Sequence, residues 1–160
     1  MITFGIANGM TQGILPLVGY TYASKNYKRL REVLKTAFKY SMIVAFFCTV
    51  MLFVFAVPIS RFFINDTETI DYSQHFLRII CTSCPAISIT TLVITIFQAT
   101  GQKMQPTILS IVKRGVVDVI LMYLMNSLMG VNGIPWATFI TDYIAMMVAI
   151  ILFIPYWKKL

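Results

Sequence analysis

The stretch Ile134–Trp157, reading IPWATFITDYIAMMVAIILFIPYW, decides the fold. It carries one formal charge, Asp142, and is long enough to cross a hydrocarbon core, which takes about 20 apolar residues as a helix. Tyr156-Trp157 followed by Lys158-Lys159 closes it in the order of a membrane interface, amphipathic rings first and cations beyond. The remainder of the 160 residues has the same character: 58% hydrophobic, 12% charged, with a mean hydropathy of +0.79. Soluble domains carry about 25% charged residues. That composition excludes a disordered chain and a disulfide scaffold. It also gives the net charge of +7 a meaning other than nucleic-acid binding.

Working back from this run, the sequence predicts an all-α integral membrane chain with five transmembrane helices, at about 1–24, 40–62, 76–100, 106–127 and 133–157. The charges sort by side. All of the 13 basic residues except Arg61 and Arg78 fall on one side, in the Lys25–Lys39 connection, at Lys103, Lys113 and Arg114, and at Lys158-Lys159. The other side gathers Asp66, Glu68 and Asp71. Under the positive-inside rule the basic side is cytoplasmic, and the C-terminus of this multi-pass chain lies there. Tyr27–Lys39 reads as an amphipathic interfacial stretch, with Leu30, Val33, Leu34 and Ala37 on one face and anionic lipid attracting the other. The chain opens within an uncharged run, has an odd number of spans and shows no basic leader, so it reads as a piece of a larger protein.

Polar residues inside the spans are the candidates for function. Gly5, Gly9 and Gly13 form a small-residue stripe, the pattern that lets helices pack closely in lipid or gives a gating helix its flexibility. Gln12, Pro16 and Gly19 share a second face at i, i+4 and i+7, a bent and polar helix suited to a cavity wall. In the third span Ser88, Thr91, Thr95 and Gln98 make one polar stripe, for cavity lining or for interhelical hydrogen bonds. Asp118 and Asp142 are the acids within spans, and burying such a charge is costly enough to suggest a role. Asp118 follows Arg114 by one turn and is either paired with it or functional. Asp142 has no basic residue within a turn, so its partner comes from another helix or from water; a proton or cation role and a structural, hydrogen-bonded role both fit. Cys81-x-x-Cys84 lies within a span and reads with Cys48 as small buried residues; His75 is alone, so no metal site is expected. No nucleophile stands beside a base, and no cofactor motif occurs, so an enzyme is not expected.

Four segments together resemble the MATE (multidrug and toxic compound extrusion) family. Gln12–Tyr20, with Lys25-Asn26-Tyr27-Lys28-Arg29 after it, resembles Q-x-x-x-P-x-x-G-Y-N-x-G-A and its basic loop. Phe97-Gln98-Ala99-Thr100-Gly101-Gln102 resembles F-Q-A-x-G-K, and Lys113-Arg114-Gly115 resembles the basic pair and glycine that open the next helix. Gly133-Ile134-Pro135-Trp136-Ala137 with Asp142 resembles G-I-x-x-A-x-x-x-x-D. Thr21, Ala23 and Ser24 depart from the first motif. The resemblance implies that residues 1–160 belong to the C-terminal, six-helix lobe of a twelve-helix, two-lobe transporter. The N-terminal lobe and the seventh helix would be missing partners. It implies efflux of cationic or amphipathic small molecules by antiport with Na⁺ or H⁺, from a cell (plasma) membrane, without a bound cofactor. The coupling carboxylates of the family's branches have no counterpart here, since the third span carries no acid. A lipid-linked saccharide flippase of related architecture, or a non-transporting membrane subunit, are the alternatives.

Overall fold

The computed structural model describes residues 2–55, 58, 67–130 and 133–159. They are helical, with no strand among the described residues. In chain order the helices are α1 (Ile2–Ala23), α2 (Tyr27–Val54), α3 (Thr67–Thr82), α4 (Cys84–Ala99), α5 (Met104–Arg114), α6 (Val116–Met129) and α7 (Gly133–Lys159). Arg61 and Asp66 lie outside the described residues, as do the side chains of Glu68, Asp71, His75 and Arg114.

Among the described residues two helices are long and apolar enough to cross a membrane: Tyr27–Val54 and Gly133–Lys158, with mean hydropathies of 2.0 and 2.2 over an 18-residue stretch. Phe76–Thr82 and Cys84–Ala99, bent by 45° at a short break, make a third if they count as one span. The bend has a sequence cause. Pro85 has no N–H to give the carbonyl of Cys81, four residues back. The hydroxyl of Thr49 on α2, which bonds its own Ala45 carbonyl at 2.8 Å, also stands 3.3 Å from that Cys81 carbonyl. Tyr143 of α7 brings its hydroxyl within 3.4 Å of the Thr82 carbonyl. A bend of this kind survives in an apolar setting because neighbouring helices cover the freed backbone groups.

The expected fourth span is likewise two helices. α5 and α6 part at Gly115, where a Cβ would stand 2.5 Å from the carbonyl oxygen of Ile111. Such a contact leaves room for a glycine alone.

α4 is the centre of the bundle, packed against α1, α2, α5 and α7. Leu92 and Ile96 meet Val18 of α1 and Leu30, Leu34 and Ala37 of α2; Val93 and Phe97 meet Leu109 of α5 and Ala149 of α7. This corrects the interfacial reading of Tyr27–Lys39. The apolar face of that stretch is buried against protein rather than laid on lipid, and it continues without a break into the apolar half of α2. Its start is set by Asn26, whose side chain accepts from the backbone N–H of Arg29 at 3.2 Å, an N-cap. The end of α4 explains one motif. Gly101, at φ +74°, takes the left-handed conformation, its N–H donates to Gln98 and that of Gln102 donates to Phe97. This is the Schellman termination, which favours glycine at its C′ position.

Candidate functional site

α1, α4 and α5 line a half-open cavity of about 400 Å³. Asn8, Thr11 and Gln12 line it from α1, Thr91, Thr95 and Gln98 from α4, and Ser110 and Lys113 from α5, with Leu15 and Ile94 as the apolar members. Amides and hydroxyls facing one space in so apolar a chain require water, a ligand or each other as partners. The threonine hydroxyls are already served. Thr91 donates to Ile87 at 2.6 Å, Thr95 to Thr91 at 2.9 Å and Thr11 to Asn8 at 3.0 Å, each within its own helix. The α4 threonines therefore line the cavity while bonding their own backbone. The amides of Gln12 and Gln98 are exposed in it.

Lys113 ends the cavity. Its ammonium nitrogen lies 3.4 Å from Oδ1 of Asp142 on α7, with the two side chains 10% and 5% exposed. The buried Ser83 hydroxyl, at the α3–α4 bend, and the Asp118 carboxylate of α6 lie within the electrostatic surroundings of Asp142. Both interrupted helices thus converge on this pair. A helix break at Gly115 sits between Lys113 and Asp118, and the Pro85 bend carries Ser83.

The sequence-derived candidates separate into groups. Gln12 and Gln98 share the cavity, and Asp142 joins it through Lys113. Asp118 is half-buried beside the pair; its expected partner Arg114 has no described side chain. Pro16 is exposed and not among the cavity residues. A Cβ on Gly19 would meet the Ala99 carbonyl at 3.8 Å, so Gly19 faces α4 outside the cavity. At Gly5, Gly9 and Gly13 a Cβ would meet nothing within 4 Å among the described residues, leaving that stripe open. Cys48, Cys81 and Cys84 form no disulfide with one another.

Lys113 is the site residue whose role the sequence reading missed. Counted among the basic residues at the entry to the fourth span, it is also the ion-pair partner of Asp142, which the sequence did not identify. The signal was there: Pro106, Leu109 and Lys113 fall at i, i+3 and i+7, and the first two are buried, so the lysine shares their inward face.

Comparison with known proteins identifies the family. A family profile described as MatE matches residues 1–124. A multidrug export protein MepA of Staphylococcus saprophyticus is 28% identical over 147 residues, covering 92% of this chain and 32% of that protein. MepA proteins of Staphylococcus aureus (strain bovine RF122 / ET3-1) and Staphylococcus haemolyticus are 26% and 27% identical, with 32% and 31% of their lengths covered. The chain therefore spans about a third of the length of these curated relatives. No solved structure matches it. With the profile running over most of its residues and long apolar helices in its fold, this multi-pass membrane chain belongs to the MatE family.

Proposed function

We propose that the chain is part of a secondary transporter that exports cationic or amphipathic compounds by antiport with Na⁺ or H⁺. The observation that carries this reading is the polar cavity ending in the Lys113–Asp142 pair. In a low-dielectric setting a carboxylate satisfied by one ammonium has little room for a second cation. A proton or Na⁺ arriving at Asp142, with Asp118 as neighbouring carboxylate, competes with Lys113. The released ammonium then adds positive charge to the cavity and repels a cationic substrate. A substrate cation and a coupling cation so exclude one another without touching, which is the thermodynamic requirement of antiport.

In this reading the described helices serve as five spans of the C-terminal lobe, the C-terminus is cytoplasmic in a plasma membrane, and the open Gly5–Gly9–Gly13 face packs against the remaining helices. Names of the relatives support export as the activity. The cavity presents one lysine rather than a row of basic residues, so a phosphate-linked saccharide is not the favoured cargo.

The test is ethidium efflux from a host lacking its own exporters. The chain is expressed together with the helices that its relatives carry beyond the matched third. Efflux that follows an imposed Na⁺ or H⁺ gradient, and loses that dependence in Lys113→Met/Asp142→Leu, supports the reading. Efflux indifferent to both gradients, or its absence from a folded protein, refutes it.

A further inference from the structure

A second groove lies away from the polar cavity, where the basic start of α2 meets the end of α7. It has a volume of about 510 Å³ and is lined by Lys35, Phe38, Phe153, Ile154, Trp157 and Lys158. Its floor is a fixed aromatic surface: the Phe38 ring is 5.3 Å from Phe153, whose ring is 5.8 Å from Trp157. Lys35 precedes the apolar half of α2, which begins at Tyr40, and Lys158 follows directly on the apolar run of α7. Both ammonium groups are exposed and both stand where their helices leave the apolar zone, beside a tryptophan, the residue typical of that depth. No acid lines the groove; Glu32 faces a separate groove with Arg29. Arg31 and Lys39, one turn before and after Lys35, extend the positive face.

Hydrocarbon and aromatic surface with two cations at one end matches an amphiphile with a negative head and an apolar tail. Free phosphate has no use for Phe38, Phe153 and Ile154, and a neutral lipid none for the lysines. We propose that the α2–α7 groove binds an anionic phospholipid, its phosphate between Lys35 and Lys158 and an acyl chain along Phe38, Phe153 and Ile154. This site is independent of what the cavity transports and needs only that the chain sits in a bilayer.

The test is native mass spectrometry of the purified chain in detergent with equimolar phosphatidylglycerol and phosphatidylcholine. Phosphatidylglycerol should be retained in preference. The double variant Lys35→Ala/Lys158→Ala should lower its retention about thirtyfold, at about 1 kcal/mol for each lysine lost. Lys35→Arg/Lys158→Arg should keep it, and Lys28→Ala/Lys103→Ala, removing the same charge at residues that do not line the groove, should change it clearly less. Equal loss in both alanine doubles would reduce the effect to general charge attraction and overturn the site. So would equal retention of the two lipids, displacement by inorganic phosphate, or a change of oligomeric state in the groove variant, which would make the groove a protein contact.

Discussion

Lys113 on α5 and Asp142 on α7 form a buried ion pair across two helices, 3.4 Å apart, in a chain with few charges to spare. Such a pair is asymmetric in energy. Forming it roughly offsets the desolvation of both ions, whereas removing one partner strands the other and costs about 3–5 kcal/mol. Asp142→Asn should therefore lower the melting temperature of the detergent-purified chain clearly, and so should Lys113→Met. The double variant Lys113→Met/Asp142→Leu should recover most of the loss. A double variant as unstable as the sum of the singles would show that the two side chains are not partners.

The same variants separate structure from transport. In the efflux assay, Lys113→Met/Asp142→Leu should remain folded yet lose coupling to the ion gradient. Asp118→Asn, which keeps the ion pair intact, should shift the ion dependence without abolishing export. Unchanged, gradient-dependent export in both would remove the acids from the mechanism.

How much of this was legible beforehand differs from element to element. α7 was plain, because a long apolar run with an aromatic and basic end has few other readings. The face Leu30–Leu34–Ala37 was legible as apolar, but periodicity says nothing about whether lipid or protein covers it; the packing of Leu92, Ile96 and Val18 decides. Gln12 and Gln98 stood out as amides in apolar runs, and only the fold brings them to one cavity. The break at Gly115 was hidden, since a glycine within a span is tolerated in many straight helices and the clash with Ile111 exists only in three dimensions. Lys113 was legible as a charge entering a span but not as the partner of Asp142, because the two lie far apart in the chain and only the fold joins them.

Gly115 should tolerate no side chain. A Cβ would meet the Ile111 carbonyl at 2.5 Å, against backbone that cannot swing away as a side-chain tip can. Gly115→Ala should destabilise the chain by about 1–3 kcal/mol, in the range of backbone strain and overpacking, and disturb the flanking Lys113 and Asp118. Gly5→Ala, at an open position inside α1, serves as the control and should melt no lower than the parent, since alanine is the better helix former. Equal melting of the two variants would contradict the geometry at the break.

The polar cavity should be reachable by water-soluble reagents, and the lipid-facing surface should not. With Cys48, Cys81 and Cys84 replaced by alanine, single cysteines at Gln12, Gln98 and Ser110 report on the cavity, and one at Ile151, 63% exposed on α7, reports on the outer surface. A charged methanethiosulfonate should modify the first three in membranes, since a thiol reacts as its thiolate and needs water and access to form it. Ile151→Cys should stay unmodified until detergent strips the lipid. Rapid modification of Ile151→Cys in intact membranes would mean that α7 faces water rather than lipid. Protection of all three cavity positions would mean that the cavity is sealed, and the ion pair at its end would then have no route to a coupling cation.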